Sequence, residues 1–167
     1  LQGDSGIDTV RYDDSSAGVT AYLDGTTGVG GTAEGDTILY YYENVNSTWN
    51  MVENLVGSSE SDRLYGNHAD NEIIGGSGSD YLFGGGGNDR LVADGGFGAG
   101  TDTLEGGAGA DTLIGDNLEN DLQGGSGNDT FQVYRNLVAV SGSIDGGADT
   151  DTVHLLGYDL GTIAFQN

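Results

Sequence analysis

The chain has 167 residues, with 33 Gly, no Pro, no Cys and a formal net charge of −23 at pH 7. Such an acidic surface argues against nucleic acid and anionic membranes as partners, and the lack of Cys rules out disulfide staples. No apolar run is long enough to cross a bilayer, so membrane insertion is not expected.

From the start, residues 3 to 11 read GDSGIDTVR, with Asp8 in the sixth place of a nine-residue unit and Val10 in the eighth. Val19, Ala21 and Leu23 then alternate with Thr20 and Tyr22, which predicts a longer strand. Glu34-Gly35-Asp36 followed by Thr37-Ile38 is a looser unit, with Asp36 in the sixth place. Residues 1 to 56 read as wider, irregular coils of one solenoid rather than a separate domain. Within them, residues 39 to 51 (LYYYENVNSTWNM) are an aromatic insert carrying Tyr40, Tyr41, Tyr42 and Trp49. Two readings stay open there: a cap over a thin core, or a loop whose rings stack on a sugar or a partner.

The regular block spans residues 57 to 132. Units begin at Gly57 (GSSESDRLY), Gly66 (GNHADNEII), Gly75 (GGSGSDYLF) and Gly84 (GGGGNDRLV). A lengthened unit from Ala93 to Glu105 puts Asp102 in the sixth place. Units at Gly106 (GGAGADTLI), Gly115 (GDNLENDLQ) and Gly124 (GGSGNDTFQ) follow. The eighth places hold Leu64, Ile73, Leu82, Leu91, Leu104, Leu113, Leu122 and Phe131, all large and apolar.

This pattern has a physical reading. In a three-residue strand such as Tyr81-Leu82-Phe83, faces alternate and only the middle side chain points inward. One strand cannot bury a core, but two units make a coil, and stacked coils pair as parallel strands about 4.8 Å apart. The expected fold is all-β, a parallel β-roll or β-solenoid. Between strands the chain must turn, and glycine allows φ > 0 there. A tight turn leaves carbonyls bare, and a hard cation such as Ca²⁺, which takes six to eight oxygens, can bind them beside the Asp carboxylates.

Alternate turns should fall on two edges. One edge takes the turns ending at Asp62, Asp80, Asp102 and Asn120, the other those ending at Asn71, Asp89, Asp111 and Asp129. With an ion between successive turns of each edge, the block would hold roughly six. Asn71 and Asn120 lack the charge, and their turns are poor in glycine, so sites touching them should be weaker or empty. After residue 132 the pattern loosens. A strand is expected over 133 to 140, and GGADTDTVH from Gly146 is a further unit with Asp151 in the sixth place. Residues 155 to 167 read as a cap, so 133 to 167 form a degenerate repeat and C-terminal end.

The quoted units resemble the RTX, or haemolysin-type, calcium-binding repeats of secreted bacterial proteins. The resemblance implies that the sixth-place Asp and the carbonyls of the preceding four positions hold Ca²⁺. Carried over, these are Gly75, Gly76, Ser77, Gly78 and Asp80, then Gly84, Gly85, Gly86, Gly87 and Asp89. They continue with Gly106, Gly107, Ala108, Gly109 and Asp111, and with Gly124, Gly125, Ser126, Gly127 and Asp129. Asp8, Asp36, Asp62, Asp102 and Asp151 match by place in less regular units. The resemblance also implies type I secretion and folding on external calcium, with the chain disordered before the ion arrives.

The expected function is therefore a calcium-driven folding module of a larger secreted or cell-surface bacterial protein, partnered by the neighbouring domains of its own polypeptide. The alternative is an adhesin or accessory module that binds extracellular polysaccharide through Tyr40, Tyr41, Tyr42 and Trp49. Catalysis is not expected. His68 and His154 show no base-and-nucleophile arrangement, and ion binding already accounts for the spacing of the Asp residues.

Overall fold

Each unit carries one large apolar side chain in its eighth place, at the centre of a short strand where it turns inward. The computed structural model describes residues 6–24, 28, 52–94, 100–116, 119–134 and 142–156. In chain order the strands are β1 (Thr9–Arg11), β2 (Thr20–Tyr22), β3 (Asn54–Val56), β4 (Arg63–Tyr65), β5 (Glu72–Ile74), β6 (Tyr81–Gly86) and β7 (Arg90–Val92). They continue as β8 (Thr103–Ala108), β9 (Thr112–Gly115), β10 (Asp121–Ser126), β11 (Thr130–Tyr134), β12 (Ser143–Ala148) and β13 (Thr152–Leu156). The odd-numbered strands make one sheet, in the order β1-β3-β5-β7-β9-β11-β13, and the even-numbered strands the other, in the order β12-β10-β8-β6-β4-β2. All pairings are parallel. This is the expected β-roll: the chain passes from one sheet to the other at every turn.

Register keeps the eighth places stacked. Leu55, Ile73, Leu91, Leu113, Phe131 and Val153 follow one another across the odd sheet. Ala21, Leu64, Leu82, Leu104, Leu122 and Ile144 do so across the even sheet. The two rows face each other as one core, and Leu64, Ile73, Leu82, Leu91, Leu104, Leu113 and Phe131 are fully buried. Burying each such side chain contributes about 1.5–3 kcal/mol. The lengthened unit does not disturb this row, because Leu104 still pairs with Leu82.

Two expectations need correction. The stretch around Val19, Ala21 and Leu23 gives only the three-residue β2, although all three side chains are buried. Conversely, β6, β8, β10 and β12 run six residues each, beyond the three the pattern predicts. The reason is that Gly85, Gly107, Gly125 and Gly147 stack in register, so pairing continues into the turn.

On the outer face of the even sheet, Tyr22, Tyr65 and Phe83 are register partners. The Tyr22 and Tyr65 rings stack with centroids 4.6 Å apart. Arg90 pairs with Glu72 at 3.5 Å on the outer face of the odd sheet. The aromatic insert with Tyr40, Tyr41, Tyr42 and Trp49, the sixth-place Asp36, residues 135–141 and the C-terminal residues 157–167 lie outside the described residues. No helix among the described residues is long and apolar enough to cross a membrane.

Candidate metal centre

The sixth-place residue sits where a strand begins, and the following coil satisfies its backbone. The carbonyls of Asp80, Asp89, Asp111 and Asp129 accept the N–H of Thr103, Thr112, Thr130 and Thr152 in the next coil, each at 2.8 Å. The N–H of the same residue instead finds a side chain. Asp62 N–H donates to Asp80 Oδ1 at 2.8 Å, Asp80 N–H to Asp102 Oδ1 at 2.9 Å and Asp102 N–H to Asn120 Oδ1 at 3.0 Å. On the other edge Asn71, Asp89, Asp111 and Asp129 donate in turn to Asp89, Asp111, Asp129 and Asp151, at 2.7–3.0 Å. The ladder joins residues 18 or 22 apart, one coil in each case. It thus strings together the sixth-place residues of each predicted edge.

The ladder uses only Oδ1. The Oδ2 atoms of Asp80, Asp89, Asp102, Asp111 and Asp129 are buried and accept no hydrogen bond. An ionised carboxylate has about four lone-pair sites to satisfy, and leaving a buried charge bare is costly. Burial accordingly raises the carboxyl of Asp80 to about 8, Asp89 to about 7 and Asp102 to about 6, against the opposing ladder hydrogen bonds. Asp111 and Asp129 are raised for the same reason, with a neighbouring carboxylate adding to the effect. A cation would reverse that balance by favouring the ionised form.

The free oxygens face other oxygens. A Cβ built on Gly84 would meet both Asp89 Oδ2 and, at 2.6 Å, the carbonyl oxygen of Gly106 in the next coil. Gly106 has the same relation to Asp111 and Gly124, and Gly124 to Asp129 and Gly146. A carboxylate oxygen and a carbonyl oxygen therefore converge at each of these three glycines. This donor set of hard oxygens fits Ca²⁺.

The family-implied carbonyl donors take these positions. Gly84 to Gly86, Gly106 to Ala108 and Gly124 to Ser126 close the long strands β6, β8 and β10. Gly87, Gly109 and Gly127 follow them in the turns, and Gly75 to Gly78 follow β5. Other sixth places differ. Asp62 Oδ1 accepts the Val19 N–H, while Oδ2 accepts the Ser58 N–H at 2.6 Å and the Ser58 hydroxyl at 3.1 Å. Asn71 accepts the Asn67 N–H and donates to the Glu53 carbonyl. The Asp8 N–H donates to Glu53 Oε2 at 2.8 Å.

Sequence reasoning missed three of these residues. Glu53 stands in the sixth place before β3, and Ser58 caps Asp62. Asp94 is buried with neither oxygen hydrogen-bonded. Its signal was an acidic residue in the second place of the lengthened unit, where the pattern has glycine.

Residues 52–82, 69–97 and 98–131 match the family model described as RTX calcium-binding nonapeptide repeat (4 copies). No curated protein matches the chain.

Proposed function

We propose that this chain, which belongs to the RTX calcium-binding nonapeptide-repeat family, is a folding module of a larger secreted or cell-surface bacterial protein. It is a calcium-binding β-roll. On this reading calcium outside the cell triggers its folding, and the folded roll supports neighbouring domains of the same polypeptide. One observation carries the reading: five sixth-place carboxylates each keep a buried oxygen with no protein donor. Such oxygens repel one another until a cation arrives, so ion binding and folding become one equilibrium. Low cytosolic calcium leaves the chain open for export by a type I route, and millimolar external calcium closes it.

The test is a calcium titration followed by circular dichroism, starting from calcium-free protein. At about pH 8 the parallel-β signal should be weak at the start and should grow with calcium, saturating at several ions per chain. A full β signal without calcium, unchanged on adding it, would overturn the reading.

A second reading adds a polysaccharide ligand. The stacked rings of Tyr22 and Tyr65 beside Phe83 favour it, as does the sequence of Tyr40, Tyr41, Tyr42 and Trp49. The net charge of −23 points to a neutral glycan. Affinity electrophoresis in a neutral glucan should then show retardation that Trp49→Ala weakens. No retardation of the calcium-loaded parent would remove this second reading.

A further inference from the structure

The nonapeptide pattern carries its charge in the sixth place and glycine in the second. Gly76, Gly85, Gly107, Gly125 and Gly147 fill second places with φ between +87° and +115°. In other units Ser58, Asn67, Asp94 and Asp116 stand there instead, and the last two put carboxylates on two turns of one edge, a coil apart. Neither takes a positive φ; among the described residues Asp149 is the one non-glycine that does. The same pair of turns ends at Asp102 and at Asn120, where the pattern charge is missing.

Asp94 is 7% exposed, and neither of its oxygens accepts a hydrogen bond. Asp102 is fully buried, and its Oδ2 also has no donor. Asp116 is oriented by Asn120, whose Nδ2 donates to Asp116 Oδ1 at 2.8 Å. Asn120 thus keeps its ladder role through Oδ1, which accepts the Asp102 N–H, while its amide nitrogen holds the second-place carboxylate. Ligand oxygens of Asp94, Asp102 and Asp116 all lie within 4.8 Å of one another. Calcium–oxygen bonds run about 2.3–2.6 Å, so opposite ligands of one ion stand about 5 Å apart. A single ion can therefore touch all three.

We propose that Asp94, Asp102 and Asp116 hold one divalent cation, calcium by its all-oxygen and triply anionic ligand set, in a site the nonapeptide pattern does not encode. The inference rests on the calcium-binding reading above. It reverses the sequence expectation that the gap at Asn120 is weak or empty. The charge lost from the sixth place returns from two second places.

The experiment counts ions on the full chain by native mass spectrometry in saturating calcium. Asp116 is half-buried, so Asp116→Asn is expected to fold. It should bind one ion fewer than the parent, with the same β signal. Asp111→Asn, on the other edge, should lose its ion independently, and the double variant should lose both. An unchanged count for Asp116→Asn overturns the site alone. A parent that binds no calcium overturns the family reading as well. If Asp116→Asn does not fold, anomalous diffraction from calcium-grown parent crystals decides. A peak about 2.3–2.6 Å from oxygens of Asp94, Asp102 and Asp116 supports the site; no peak there, beside occupied turns elsewhere, overturns it.

Discussion

The backbone N–H of Asp111 donates to Oδ1 of Asp129, one coil further on, at 2.8 Å. The other oxygen of Asp129 is left buried without a donor. One carboxylate therefore closes the backbone of the coil behind it and presents its remaining charge to the turn. Strand stacking and ion binding share the same side chain, so neither is complete without the other. Because the link repeats from Asn71 to Asp151, order gained at one coil is passed to the next.

Asp111→Ala should harm calcium binding more than Asp62→Ala. Both substitutions strip a coil N–H of its acceptor, a loss of about 1–3 kcal/mol. Only Asp111 also has an oxygen free for an ion, since Ser58 already satisfies Asp62 Oδ2. Outer-shell changes alone cost about 10–100-fold in metal affinity, so losing a direct ligand should cost at least that much at the affected site. Calorimetric titration of both variants checks this; equal calcium affinities would contradict the assignment.

The pH dependence should change sign with calcium. Burial raises Asp80 to about 8, Asp89 to about 7 and Asp102 to about 6, whereas an unfolded Asp titrates near about 3.9. Without calcium the roll binds more protons than the unfolded chain between about pH 4 and pH 8. Its stability is then highest below the unfolded value and is lost as pH rises through the folded values. The calcium-free protein should show more β signal at about pH 5.5 than at about pH 8. With calcium the ions hold the carboxylates ionised, so acid competes with them and stability should fall as pH falls. Thermal melts at both pH values, with and without calcium, test this. The same trend in both series would refute it.

The eighth-place row was legible because a single apolar residue recurs at a fixed offset from Asp. That offset survived the insertion before Asp102, since Leu104 stayed in register with Leu82. The division of turns between two edges was legible for the same reason. What escaped was the second place. Glycine in that place serves the backbone, so the pattern carries no expectation for a side chain there. Ser58 turns inward to satisfy Asp62, and Asp116 pairs with Asn120. Each is a partnership within one turn, invisible to a rule that compares the same place between turns. The long strands were missed because glycine counts against strand in sequence, yet Gly85, Gly107 and Gly125 pair once stacked.

Leu113→Ala should destabilise the calcium-loaded roll by about 2–5 kcal/mol, the range for a buried Leu truncated in a packed core. Leu113 lies between Leu91 and Phe131 in its row, so neither neighbour can close the gap without leaving register. Tyr134→Ala is the control. Tyr134 is 46% exposed on β11, and its loss should stay within about 0.5 kcal/mol. Denaturant midpoints at fixed calcium measure both. A Leu113→Ala midpoint equal to that of the control would contradict a core held by this row.

Two adjacent glycines should respond unequally to alanine. Gly85 has φ +107°, a region that costs an L side chain about 1–2 kcal/mol. A Cβ there would also collide with the carbonyl oxygen of Asn67, the backbone of the coil behind it. That carbonyl accepts the Gly86 N–H at 2.8 Å and cannot retreat without breaking the stack. Gly86 has no positive φ, and a Cβ there would meet its nearest atoms at 3.7 Å, ordinary van der Waals contact. Gly85→Ala should therefore weaken calcium-dependent folding strongly, with a higher calcium midpoint and a lower melting temperature. Gly86→Ala should change stability by less than about 1 kcal/mol, because removing a glycine also trims the freedom of the unfolded chain. Calcium titrations of the two variants, followed by circular dichroism, make the comparison. If both shifted the midpoint equally, the tight approach of successive coils at Gly85 would not be the constraint that selects glycine there.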